Sequence, residues 1–108
     1  MVSIYYVAQW SIPESRKEAC EEAIKAILAH IQAEHAAIRS VRVFRQVWGP
    51  LPRRAYQWYE EYESLSALEQ DVSTPQCEEV WAPIYALAQD SFLAGLWSDP
   101  QRDLWVQR

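Results

Sequence analysis

The sequence predicts an α+β domain, an antiparallel four-stranded sheet with two helices on one face. Three observations predict it. Apolar periodicity switches between the strand and helix repeats in the order strand, helix, strand, strand, helix, strand. A breaker-rich turn, Gly49-Pro50-Leu51-Pro52-Arg53, joins the middle strands into a hairpin. Strand one, Ile4-Tyr5-Tyr6-Val7-Ala8-Gln9-Trp10, shows no clean alternation, as expected where both sheet faces are buried. Two helices cover one face. In a chain of 108 residues the other face needs a second cover, and the expected cover is another copy of the chain.

Each element follows from its residues. Strand one is expected over Val2 to Trp10. Ser11 with Glu14, and Ser15 with Glu18, offer two capping boxes, and Pro13 fits a first helical turn. Helix one then runs to about Ile38, with an apolar stripe of Cys20, Ile24, Ile27, Leu28, Ile31, His35 and Ile38. Strand two covers Ser40 to Trp48. Strand three covers Arg54 to Tyr62, with Tyr56, Trp58, Glu60 and Tyr62 on one face. A second helical region opens near Ser64, with Ser66 and Glu69 as a capping box. Ser73-Thr74-Pro75 breaks it, and a helix from Pro75 to about Leu96 follows, kinked at Pro83. Arg102 to Gln107 is expected as the last strand. This is the split, ferredoxin-like βαββαβ order, and right-handed crossovers place strands one and three in the centre.

Residues 1–108 read as a single domain, without repeats, linkers or low-complexity tracts. Half of the residues are hydrophobic, and there are six Trp and six Tyr. That aromatic load suits an interface or a ligand cavity, or else a Trp-filled core. The net charge of −5 and pI near 4.9 argue against nucleic acid and anionic membranes as partners. No apolar run is long enough to span a bilayer, and no signal peptide is evident, so a cytoplasmic location is expected. Cys20 and Cys77 form no CxxC pair and are expected as buried free thiols.

The stretch from Glu61 to Pro75, Glu-Tyr-Glu-Ser-Leu-Ser-Ala-Leu-Glu-Gln-Asp-Val-Ser-Thr-Pro, resembles the junction of strand three and helix two in the antibiotic biosynthesis monooxygenase-like proteins. The pattern there is an acidic residue, an aromatic, a Ser or Asp cap, an apolar-rich turn, a His, then Ser-Pro. The resemblance implies a dimeric α+β barrel, a homodimer whose two sheets pack together, with pockets between sheet and helices of each subunit. It implies a pocket aromatic at Tyr62. The helix-two His position falls on Asp71, a departure that makes Asp71 the residue facing a ligand there. The haem-degrading branch uses a His in the second helix. No His follows His35, so haem is not expected, and no cofactor is.

His35 is the candidate catalytic base, since imidazole titrates near about 6.5. Against this stands a neutral His satisfied by backbone near a helix end. His30 lies five residues earlier, where helical geometry turns the side chains apart, so a paired metal site is not expected and His30 is read as exposed. Gln9 either orients a substrate carbonyl or satisfies backbone at a strand end. Tyr56, Trp58 and Tyr62 either stack on a flat aromatic ligand or fill a core. Glu60 needs a partner if buried, and Arg42 or Arg45 could supply it. No Ser-His-Asp order, phosphate loop or metal-ligand cluster is present. Two functions follow. One is a metal-free small-molecule enzyme of monooxygenase-like or isomerase-like type acting on an aromatic or polyketide-like substrate. The other is a non-catalytic small-molecule-binding or structural dimer.

Overall fold

A computed structural model describes residues 3–49, 54–72, 75–99 and 106, the side chains of 72 and 75–77 excepted. The elements run β1 (Ile4–Ile12), α1 (Lys17–Glu34), β2 (Ile38–Arg45), β3 (Arg54–Tyr62), α2 (Leu65–Val72), α3 (Pro75–Ala88) and β4 (Leu93–Ser98). Short 3-10 turns precede α1 at Glu14–Arg16 and follow α3 at Gln89–Ser91. The strands form one antiparallel sheet in the order β2-β3-β1-β4, so β1 and β3 are central as expected. The sheet carries three helices, the second helical region being divided into α2 and α3 where the Ser73-Thr74-Pro75 break was expected.

Register divides the residues between two faces. Tyr6, Ala8, Trp10 and Ile12 of β1 lie beside Tyr56, Trp58, Glu60 and Tyr62 of β3. Onto this face pack Cys20, Ile24 and Ile27 of α1 and Trp81, Ile84 and Ala88 of α3. Trp10 stacks on Tyr56 with centroids 5.8 Å apart, and Trp58 meets Trp81 edge-on at 4.8 Å. Three of the six Trp thus fill the core, where such rings contribute most. The Trp10 indole N–H donates to Cys20 Sγ at 3.4 Å, and burial pushes the Cys20 thiol up, as expected for a structural thiol. The side chain of Cys77 lies outside the described residues.

The opposite face carries Tyr5, Val7 and Gln9 of β1, Gln57 and Tyr59 of β3, Phe44 of β2, and Leu93 and Trp97 of β4. No helix covers it. Leu93 is 67% exposed, Trp97 62% and Phe44 48%. Among the described residues no helix is long and apolar enough to cross a membrane.

Several expected boundaries shift for identifiable reasons. Ser11 belongs to β1, and neither Pro13 nor Arg16, the residues that precede the 3-10 turn and α1, makes a side-chain cap bond. The start of α1 is instead tied to β3 by Arg54, whose Nε and a terminal nitrogen donate to Glu14 at 3.2 and 2.7 Å. Helix α1 stops at Glu34, not Ile38. His35 leaves the helical region at φ −122 and ψ 72, while its N–H still donates to Ile31 O at 2.9 Å. Ser64 caps α2, accepting the Ala67 N–H at 3.1 Å, so the expected Ser66 box lies two residues too late. Helix α3 includes Pro83 but ends at Ala88. There Gln89 adopts φ 53, and Phe92 is already extended. The Ser91 hydroxyl fastens this turn to β1, accepting the Ser11 N–H at 3.1 Å and lying 2.7 Å from Ala88 O. The fourth strand is therefore Leu93–Ser98, which the periodicity places in a helix. The strand expected over 102–107 lies outside the described residues, Val106 apart, which is in no strand.

Candidate functional site

Three helices and all four strands contribute to a cavity of about 350 Å³ on the helix-covered face. Its apolar wall includes Ile31 and Ile38 from the two ends of the α1–β2 connection, Trp81 and Tyr85 of α3, and Leu96 of β4. Its polar side is formed by His30, His35, Glu60 and Asp71. That size and this mixture, apolar walls with a few convergent polar groups, suit a small organic ligand.

The polar groups form one hydrogen-bonded chain. His35 Nδ1 donates to Asp71 Oδ1. His35 Nε2 and His30 Nε2 lie 2.8 Å apart, one donating to the other. Asp71 Oδ2 accepts from the Tyr62 hydroxyl at 2.8 Å, and Tyr62 Oη is also 3.0 Å from Glu60 Oε2. The Trp58 indole N–H donates to Glu60 Oε1 at 2.8 Å. The side chains of His35 and Asp71 are 7% and 9% exposed, and Tyr62 and Trp58 are fully buried. Burial, reinforced by the Asp71 charge, raises the Glu60 carboxyl above its ordinary range. Burial and the neighbouring Glu60 and Asp71 push the Tyr62 hydroxyl far up, so it serves as a neutral donor.

The early end of α1 makes this chain. Five residues of unbroken helix would turn His30 and His35 apart. Because the helix stops at Glu34, the His35 ring folds back onto His30, with centroids 4.7 Å apart. His30 is therefore half-buried, not exposed as its spacing suggested. Both ring nitrogens of His35 are engaged. His30 Nδ1 has no hydrogen-bond partner among the described residues. Among those residues no three of His, Cys, Asp and Glu converge as a metal site.

The other expected site residues divide. Tyr62 and Trp58 reach the chain from behind, as donors to carboxyl oxygens, and do not wall the cavity. Asp71 lines the cavity. Tyr56 does not. Its ring lies against Trp10 and its hydroxyl donates to Glu21 at 2.7 Å, toward the other end of the helix layer. Gln9 does not join His35 either. It lies on the uncovered sheet face, where Gln57 donates to it at 3.0 Å, beside a shallow apolar concavity lined by Tyr5, Val7, Tyr59 and Trp97. The arginines proposed for Glu60 are elsewhere. Arg45 bonds Glu21 at 2.9 Å, and Arg42 sits opposite Tyr59 on the uncovered face. Sequence reasoning saw Glu60 but gave it the wrong partners, and it set His30 aside.

No protein-family model matches this chain, and no curated protein matches it in sequence. Solved structures do match in shape. One is a proposed antibiotic biosynthesis monooxygenase from Caulobacter crescentus, 15% identical, with a TM-score of 0.77 over 92% of this chain and 91% of that one. Another is SnoaB, a cofactor-independent oxygenase from Streptomyces nogalater, 14% identical, with a TM-score of 0.75 over 92% and 94%. A third is a dimeric ferredoxin-like protein of unknown function from a Jannaschia species, 14% identical, with a TM-score of 0.71 over 88% and 97%. The chain thus has the fold shared by antibiotic biosynthesis monooxygenase-like and dimeric ferredoxin-like structures, as the junction after strand three suggested. At these identities the likeness is one of fold.

Proposed function

We propose that the whole chain is one dimeric α+β barrel domain, a cytoplasmic enzyme of monooxygenase-like type that acts without metal on an aromatic or polyketide-like substrate. The observation that carries this reading is the His30–His35–Asp71 chain opening on an apolar cavity of about 350 Å³. The oxygenase SnoaB, similar in fold, supports the reaction class.

The chemistry asked of the site is removal of a proton from an electron-rich substrate, whose anion then reacts with O₂ itself. Asp71 holds His35 in one tautomer and faces the charge that develops on it. The substrate proton enters at His30 Nδ1, His30 passes its Nε2 hydrogen to His35 Nε2, and the positive charge settles beside Asp71. A flat substrate lies against Trp81 and Tyr85, whose rings are within 23° of parallel. A second copy covers the open sheet face, burying Trp97, Leu93 and Phe44.

The test is O₂ uptake and thermal shift with a panel of phenolic, polyketide-like compounds. A compound that is turned over should stabilise the protein. His35→Ala and His30→Ala should each lower turnover by about 10²–10⁴-fold while the circular dichroism of the fold is kept. Stabilisation without O₂ uptake would instead support the non-catalytic binder.

A further inference from the structure

The Tyr62 hydroxyl has one hydrogen and two carboxyl neighbours, Glu60 Oε2 at 3.0 Å and Asp71 Oδ2 at 2.8 Å. If both carboxyl groups were ionised, one contact would press two oxygens together with no hydrogen between them. Tyr62 is fully buried and Glu60 is 5% exposed, so no bulk water relieves such a contact. The missing hydrogen must be carried by a carboxyl group. Asp71 has an imidazole partner to balance a negative charge. Glu60 has none among the described residues, and its other oxygen accepts only the neutral Trp58 N–H. The proton belongs on Glu60.

We propose that Glu60 is a neutral carboxylic acid around pH 7, sharing one proton with Asp71 through Tyr62, and is a positioning residue that keeps Asp71 the single carboxylate in the hydrogen-bonded chain that ends on His35 and His30. The use of that pair as a base rests on the function proposed above; the place of the proton does not. Glu60 donates from Oε2 to Tyr62, Tyr62 donates to Asp71 Oδ2, and Asp71 Oδ1 accepts from His35, so each contact holds one hydrogen. Ionising Glu60 leaves the Tyr62 hydrogen with two claimants. It also adds a second negative charge near the imidazoles, which then hold a captured proton more tightly. The groups facing Glu60 are Tyr6 on β1, Val41 on β2, Asp71 on α2, His30 and His35 at the end of α1, and Glu78 and Tyr85 across the cavity on α3. None of these is a Lys or Arg that would stabilise the anion.

The experiment is carbon NMR of resting protein labelled at the glutamate side-chain carboxyl, with the histidine rings followed in parallel, from about pH 5 to about pH 9. One carboxyl resonance, absent from Glu60→Gln, should stay at the protonated position around neutral pH and shift only as pH rises further. The His30 and His35 resonances should respond in the same step, and Tyr62→Phe should uncouple the two. Glu60→Gln should fold, because its amide N–H donates to Tyr62 as the acid does. A Glu60 resonance at the carboxylate position around neutral pH, an unfolded Glu60→Gln, or histidines indifferent to the Glu60 step would overturn the proposal. No substrate is in the sample. A protonated Glu60 with no turnover of any compound would leave this inference standing and remove the enzyme reading; an ionised Glu60 would do the reverse.

Discussion

Asp71 accepts from His35 on one oxygen and from Tyr62 on the other, and that pairing decides what can replace it. Asn offers one acceptor oxygen and one amide donor, so Asp71→Asn turns one of these contacts around, sends the displaced donor to another partner such as Glu60, and removes the charge beside His35. The expected loss is about 1–3 kcal/mol in urea unfolding. Glu60 behaves oppositely, since Gln reproduces a neutral acid. Its pH dependence has a definite sign. The folded-state pKa of Glu60 is raised above its ordinary value of 4.5. Between that value and the raised one, the folded chain keeps a proton that the unfolded chain has released, so this contribution is full at low pH and is lost as pH rises. The stability of wild type minus that of Glu60→Gln should therefore fall as pH climbs above about 4.5 and level off once Glu60 ionises in the fold. Urea midpoints of the two proteins across pH check this. At this scale the sequence singled out His35, Glu60, Tyr62 and Asp71 but not how they pair, and it grouped Gln9 with them although Gln9 lies on the other sheet face. His35 was visible as a polar residue on an apolar stripe. His30 was not, because the spacing rule assumes an unbroken helix through both residues.

Where elements stop matters as much as where they run. Ser64 is the cap of α2, and α2 carries Asp71 to the cavity. Ser64→Ala should cost about 1 kcal/mol, read as a lowered urea midpoint with the circular dichroism of the fold retained. Gln89 marks the end of α3 with φ 53, a region that L side chains occupy at a cost. Gln89→Gly relieves that cost, and a gain of up to about 1 kcal/mol in urea unfolding is expected. The same residue explains why β4 was read as helix. Leu93 and Leu96 continue the apolar spacing of α3, and neither Gly nor Pro stands at the break, so periodicity had no signal to stop on. The hairpin strand β3 was legible to the residue, from Arg54 to Tyr62, because its alternation is long and Tyr62 is followed by polar turn residues.

For the molecule as a whole, the uncovered sheet face carries the proposed assembly. An apolar surface built from Val7, Phe44, Tyr59, Leu93 and Trp97 is more than scattered exposure, and a dimer formed across it should sediment at twice the chain mass. Replacing Leu93 and Trp97 together by Lys places charge on this face without touching the helix layer, and monomers are the expected species. Unchanged dimers would move the interface elsewhere. The sequence by itself determined the α+β class and the central place of β1 and β3. These depend on period and composition, which are local properties of the chain. Only the tertiary structure decided that His30, His35, Glu60, Tyr62 and Asp71 form one hydrogen-bonded chain, and that Gln9 and Tyr56 stand apart from it. Hydrogen bonds are made or lost over a few tenths of an ångström. Distances of that size are set by where α1 ends and how α2 docks on β3, and no periodicity encodes them.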